Sequence, residues 1–183
     1  TTAQKKTDYQ TVSVGFKDLR VDNEGFFVLN GERIFVKCNH TTPYIMGSVD
    51  VGSDIARQLH QLDYFKSAGF NMVRFLAGPA LPEQLDYCDR IGLLVYQENA
   101  MAWNQTDTEA TPKLFAGELR QLALRDRNHV SNAILGMLNE THGTEAANTS
   151  VRLQAAIDGP KTVREYDQDV LLLLSSGRWD YRN

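Results

Sequence analysis

Carboxylates, amides, a guanidinium and two indoles follow the apolar runs of this chain at intervals that could gather them at one rim. Asn39 and His40 close the first run, and Arg74 lies within the second. Gln97, Glu98 and Asn99 follow the third, with Trp103 further on. Asn139 and Glu140 follow the fourth, then Thr141 and His142. Ser175, Ser176, Arg178, Trp179 and Asp180 follow the fifth. Carboxyl groups transfer protons, amides and guanidinium groups hold hydroxyls, and indoles stack on C–H faces. Together these residue types suit a carbohydrate site.

Other chemistries lack their motifs. The glycine-rich phosphate loops GxGxxG and GxxxxGK[ST] are absent, and so is the GxSxG elbow, which Ser175-Ser176-Gly177 does not match. No CxxC or HExxH pattern points to zinc, and no metal or cofactor is expected. Cys38 and Cys88 read as two buried free thiols, too few for a disulfide framework. The net charge of −4 argues against nucleic-acid and anionic-membrane partners, which favour basic patches. The longest apolar runs, such as Val170–Leu174, are far shorter than the roughly 20 residues that span a bilayer. No signal segment is visible at the start, where residues 1–6 read as a tail or cut linker, and the compartment is left unassigned.

The elements that must position these residues can be read from periodicity. Val12, Val14 and Phe16 alternate with small residues, which predicts a half-buried strand. Phe26–Leu29 and Arg33–Val36 flank Asn30-Gly31, a hairpin signal, and the second arm is expected to run on into Lys37-Cys38-Asn39-His40. Ser53 can cap a helix carrying Ile55, Leu59, Leu62 and Phe65, with Gly69 as its stop. A strand over Asn71–Phe75, a helix from Pro82 to Gly92 and a strand over Leu93–Tyr96 come next. Thr111-Pro112 opens a helix with Leu114, Phe115, Leu119 and Leu122, and the fourth strand covers Ala133–Leu138. A helical stretch over 144–167, broken or bent at Gly159-Pro160, leads to a fifth strand at Val170–Leu174.

Strands that are apolar on both faces and alternate with helices predict a parallel α/β sheet. An open doubly wound sheet and a (β/α) barrel both fit that pattern. About five strand–helix units in 183 residues fall short of the roughly 250 of a complete eight-fold barrel. A barrel here would therefore be incomplete, and its unpaired strand edges would invite self-association.

Several runs together resemble the central barrel domain of glycoside hydrolase family 2, the family of β-galactosidases, β-glucuronidases and β-mannosidases. They are Phe26–Gly31 with Ile34–Lys37, then Asn71–Arg74, then Tyr87–Val95, then Arg125–Ser131 followed by Leu138-Asn139-Glu140. The resemblance runs from about Gly15 to Asp180. It implies a partial (β/α)8 TIM barrel of about five units over 15–183, preceded by a β-hairpin, with 1–14 a linker or remnant of a preceding β-sandwich domain. It implies that Glu140 is the acid/base of a retaining mechanism, that Asn139 bonds the sugar's 2-hydroxyl, and that Arg74 sits beneath the catalytic carboxylates. His40, Asn39, Trp103 and Trp179 are candidate substrate contacts. Glu98 and Asp180 are candidate supporting acids. The chain departs from the family pattern at Val130, where Pro is usual, and at Phe75–Gly78, where Ser-His-Tyr-Pro is common.

The resemblance implies hydrolysis of β-glycosidic bonds in a carbohydrate substrate, with the nucleophile on a seventh strand beyond this chain. On that reading the 183 residues alone are inactive or nearly so. The acid needs a raised pKa, from burial or from a nearby carboxylate. Two other readings stay open: a barrel β-glycanase of the cellulase or mannanase type, and a non-catalytic sugar-binding half-barrel.

Overall fold

The computed structural model describes residues 8–9, 11–41, 54–102, 108–140 and 151–176. Eight strands and four helices occur among them. Strands β1 (Leu19–Val21), β2 (Phe27–Leu29) and β3 (Glu32–Ile34) form a small antiparallel sheet. Five further strands form a parallel sheet: β4 (Cys38–Thr41), β5 (Met72–Phe75), β6 (Leu94–Glu98), β7 (Asn132–Asn139) and β8 (Leu171–Ser176). Each step between them carries a helix: α1 (Ile55–Ser67), α2 (Pro82–Ile91), α3 (Thr111–Asp126) and α4 (Val151–Arg164).

The parallel strands lie side by side in chain order, from β4 to β8. A doubly wound sheet reverses its strand order at a switch point; this one does not. Crossovers of one hand without reversal put every helix on one face. Two cores show that face. Leu62, Phe65 and Leu85 pack on Val73, Phe75 and Val95. Phe115, Leu119 and Val163 pack on Leu135 and Met137. The opposite face is plugged near the amino ends of the strands. There Met72, Leu94, Tyr96 and Ala133 meet Leu19, Phe27, Leu29, Ile34 and Val36 from the small sheet and the segment after it.

The hairpin turns where the sequence predicts. Asn30 has φ 53° and Gly31 φ 89°, as a two-residue turn of this hand requires. Its second arm does not run on, however. β3 ends at Ile34, residues 35–37 form no strand, and β4 joins the other sheet. Asn71 makes that break: its Oδ1 accepts from Lys37 N (2.8 Å) and its Nδ2 donates to Phe35 O (2.9 Å).

Other expectations also shift. Val12–Phe16 is not a strand, and Val12, Val14 and Phe16 are exposed. Side-chain contact holds this segment instead of pairing. Lys17 Nζ donates to Asn132 O (2.5 Å), and Gly15 lies so close to Val130 that a Cβ would come within 2.6 Å. The α1 cap is Asp54, whose side chain accepts from Arg57 N; Ser53 lies outside the described residues. Helix α4 continues through Pro160. The ring forfeits one backbone bond, but α4 packs tightly on α3, and a Cβ at Gly159 would stand 2.7 Å from Leu119 Cδ1. Residues 144–150 of the expected helix lie outside the described residues. Cys38 is exposed rather than buried, because β4 has a neighbour on one side only among the described residues; Cys88 is buried, which pushes its thiol up to about 12.

The run Arg125–Ser131 ties α3 to β7. Buried Asp126 accepts from Arg125 Nε (2.5 Å) and from Gln97 Nε2 (2.9 Å). Asp89 accepts from Ser131 N (2.7 Å) and stands 2.8 Å from His129 Nδ1. That bond to Asp89 holds His129 above its ordinary 6.5, against partial burial. Burial pushes Asp89 up, but the bonds from His129 and Ser131 outweigh it and hold the carboxyl below 3.8. A raised histidine stabilises the fold fully below its unfolded value and loses that contribution as pH rises through its folded value. A lowered carboxyl contributes above its unfolded value and loses it as pH falls. The pair therefore works best between about pH 4 and about pH 6.5. The stability difference between wild type and His129→Gln is expected to shrink as pH rises from about 6 to about 9. A difference that stays flat across that range, in urea midpoints, would contradict the pairing.

Candidate active site

Above the apolar plug, the inner face of the parallel sheet turns polar at the carboxyl ends of its strands, where ligands of parallel α/β folds bind. Register explains who meets. His40 pairs with Arg74, Arg74 with Tyr96, and Glu98 with Gly136. Residues two apart on a strand share a face, so Tyr96 and Glu98 stand together, beside Arg74.

Glu98 is fully buried at the centre. Its Oε1 accepts from Arg74 Nη2 (2.5 Å) and Nε (3.1 Å) and from Tyr96 Oη (2.8 Å), and lies 3.1 Å from Ser176 Oγ. Its Oε2 accepts from Ala77 N (2.7 Å). Arg74 also donates from Nη2 to Asn139 Oδ1 (2.7 Å) and to Ser176 Oγ (2.6 Å). Its guanidinium carbon lies 5.0 Å from the centre of the Tyr96 ring. Burial, then the charge of Glu98, push the Tyr96 phenol well above its ordinary value, so it serves as a donor. Burying this much polarity is tolerable only because each group has a partner.

Two backbone features make room. A Cβ at Gly136 would stand 2.9 Å from the Tyr96 ring and 3.0 Å from Glu98 Cγ, so glycine lets β7 approach both. Ala77 has φ 57°, a left-handed conformation that turns its N–H onto Glu98.

Asn139 ends β7 and is buried, while Glu140, one residue on, is exposed. Glu140 also adopts a left-handed backbone, φ 41°, and its N–H donates to Ser176 O (2.9 Å). Strained non-glycine residues of this kind gather at functional sites. The described residues leave Glu140 open, because it lies past the last rung of β7.

The structure thus brings together Arg74, Glu98 and Asn139, with Glu140 beside them at the end of β7. His40 shares the Arg74 register but is exposed. Asn39 alternates to the other face, where its Oδ1 accepts from His40 N (2.9 Å). Trp103, Trp179 and Asp180 lie outside the described residues. Tyr96, Gly136 and the Ala77 N–H were not anticipated, and Ser176, expected at the rim, had been given no role. Tyr96 had a signal: a phenol that ends an apolar run, two residues before a glutamate, needs a partner when buried, and that glutamate is on its face.

A cavity of about 380 Å³ lies at the opposite end, among Lys17, Leu29, Ile34, Asp89 and Leu94. It is large enough for a small molecule, but its one carboxylate is already committed to His129 and Ser131. Asp86, Asp89 and His129 lie close enough together to share an ion; the short His129–Asp89 bond accounts for their arrangement.

The parallel α/β sheet thus carries an arginine-anchored glutamate and an Asn-Glu pair at the carboxyl ends of its strands. Known proteins share its fold and part of its sequence. No family model matches the chain. It is 31% identical over 140 residues to beta-galactosidase BoGH2A of Bacteroides ovatus, covering 73% of this chain and 16% of that protein. A glycosyl hydrolase family 2 member from Bacteroides cellulosilyticus matches in structure with a TM-score of 0.70 and 25% identity, over 88% of this chain and 21% of that one. Parabacteroides merdae beta-glucuronidase shares the fold with a TM-score of 0.72 at 19% identity, over 87% and 21% of the two chains. The chain belongs to glycoside hydrolase family 2. It spans 14–16% of the length of curated relatives it matches.

Proposed function

We propose that the chain is the first part of a (β/α)8 barrel that hydrolyses β-glycosidic bonds by a retaining mechanism, with Glu140 as acid/base and the nucleophile supplied from outside these 183 residues. The observation that carries this reading is the state of Glu98. It is the other glutamate among the strand-end residues described, and both its oxygens are engaged by Arg74, Tyr96, Ser176 and Ala77. An attacking carboxylate needs a free lone pair aimed at the anomeric carbon. Glu98 instead fixes Arg74, and Arg74 fixes Asn139. Glu140, exposed at the strand end, is free to meet a leaving-group oxygen.

Retention requires a second carboxyl group about 5–5.5 Å from the first. Among the described residues β4 and β8 each have a neighbour on one side only, and further strands at those edges would close the barrel and bring that group in. The same edges support self-association of the 183 residues by themselves. Substrates of the β-glucuronide and β-galactoside classes fit the relatives' names.

The test is hydrolysis of a panel of aryl β-glycosides by the longest natural protein containing this chain and by the 183 residues alone. Turnover by the former and none by the latter is expected. Binding of free sugars without any turnover by the longer protein would favour the sugar-binding reading. Turnover by the 183 residues, abolished by Glu140→Gln, would overturn the placement of the nucleophile.

A further inference from the structure

We infer that Ser176 is a positioning residue: its hydroxyl, wedged between Glu98 and Asn139, fixes the amide of Asn139 with its nitrogen turned toward the ligand. This rests on the glycosidase reading of the site and adds to it a residue on β8.

Atom types decide the orientation of Asn139. The atom facing Arg74 must be an acceptor, because a guanidinium has donors only. That places Oδ1 on Arg74 Nη2 at 2.7 Å and turns Nδ2 the other way. Arg74 alone is an incomplete anchor. A carbonyl oxygen has two lone pairs, and Nη2 can give Asn139 Oδ1 one hydrogen only, since its other points to Glu98 Oε1 or Ser176 Oγ. Ser176 can supply the second donor. Its Oγ takes a hydrogen from Arg74 at 2.6 Å and has one to give, 3.1 Å from both Asn139 Oδ1 and Glu98 Oε1. When it bonds Asn139, that oxygen holds two donors and the amide cannot flip without losing both.

Backbone bonds put Ser176 in this place. It pairs with Asn139 in the β7–β8 ladder, and its carbonyl accepts from Glu140 N at 2.9 Å. One residue on β8 thus touches both members of the Asn-Glu pair, one by side chain and one by backbone. Its neighbour Ser175 supplies a control, since its buried Oγ has no hydrogen-bond partner among the described residues.

The consequence is selective. A fixed Nδ2 donor serves a ligand oxygen, and on the glycosidase reading that oxygen is the sugar's 2-hydroxyl. Removing the Ser176 hydroxyl should weaken that one contact and spare the rest. The experiment uses the longest natural protein with an aryl β-glycoside it cleaves and the 2-deoxy analogue of that substrate. Ser176→Ala is expected to lower kcat/KM about five- to tenfold on the parent substrate, the effect of one hydrogen bond, and to leave the 2-deoxy analogue unchanged. Ser176→Thr, which keeps the hydroxyl, should recover most of the loss, and Ser175→Ala should show none.

Equal losses on both substrates, or an equal loss in Ser175→Ala, would overturn the positioning role in favour of general support. A crystal structure of Ser176→Ala at better than about 1.2 Å, where hydrogens distinguish amide nitrogen from oxygen, gives a readout that does not depend on turnover. The Asn139 amide is expected in more than one orientation; an amide held in the wild-type orientation overturns the inference. A wild-type protein that cleaves no glycoside would sink the functional reading, and the crystallographic result would then decide the role of Ser176 by itself.

Discussion

Glu98→Ala is expected to lower the stability of the fold by about 3–5 kcal/mol, the range for removing one partner of a buried ion pair. Glu98 is fully buried, and the Arg74 side chain is 21% exposed. The substitution would strand a guanidinium, a phenol, a hydroxyl and a backbone N–H around an empty space. Ala77 adds to the loss. A non-glycine residue in its conformation is strained by about 1–3 kcal/mol, and the bond from its N–H to Oε2 is what compensates. Glu98→Gln should recover little. It keeps the shape, but its amide nitrogen would face either the Ala77 N–H or the Arg74 guanidinium, donor against donor. The measurement is the shift in urea midpoint at unchanged denaturant slope. A loss below about 1 kcal/mol would mean that water reaches the cluster and that Glu98 behaves as a surface acid.

In the longest natural protein containing this chain, and on the glycosidase reading, Glu140→Gln is expected to lower kcat on β-glycosides by about 10²–10⁴-fold, the usual contribution of a positioned general acid or base. Stability should change by less than about 0.5 kcal/mol, because the side chain is exposed. The two readouts together separate Glu140 from Glu98. Proton donation also has a signature that packing lacks. A leaving group that is stable as an anion needs no proton, whereas an alkoxide does. The loss on a dinitrophenyl glycoside should therefore be much smaller than the loss on the methyl glycoside in the step that breaks the bond. Equal losses on both would remove Glu140 from the role of acid.

Local pattern was enough for much of the frame. Asn30-Gly31 specified its turn because both positions need positive φ. Pro82 and Gly92 bracketed α2 because one fits a helix start and the other its left-handed stop. The Val12–Phe16 alternation misled, because period two shows only that a segment can lie flat on a surface. Whether it joins a ladder depends on a neighbour, and here the Val130 side chain against Gly15 and the Asn132 carbonyl on Lys17, one residue further on, hold it.

The site divides along the same line. The Asn139-Glu140 pair, Arg74 and Glu98 were legible in the sequence because each falls at the end of, or within, an apolar run whose class is plain. That Glu98 is the hub was not legible. Nor were the parts of Tyr96, Gly136 and Ser176, which come from strands far apart in the chain. Hydrogen bonding in a buried cluster depends on register across β5, β6, β7 and β8, and register is set by packing over the whole sheet. Local pattern was enough to put Arg74, Glu98 and the Asn139-Glu140 pair at or near the carboxyl ends of their strands. Which of these groups hold one another and which, like Glu140, stay exposed came from the assembled fold, because a buried polar atom must be satisfied by whatever the fold brings within about 3 Å.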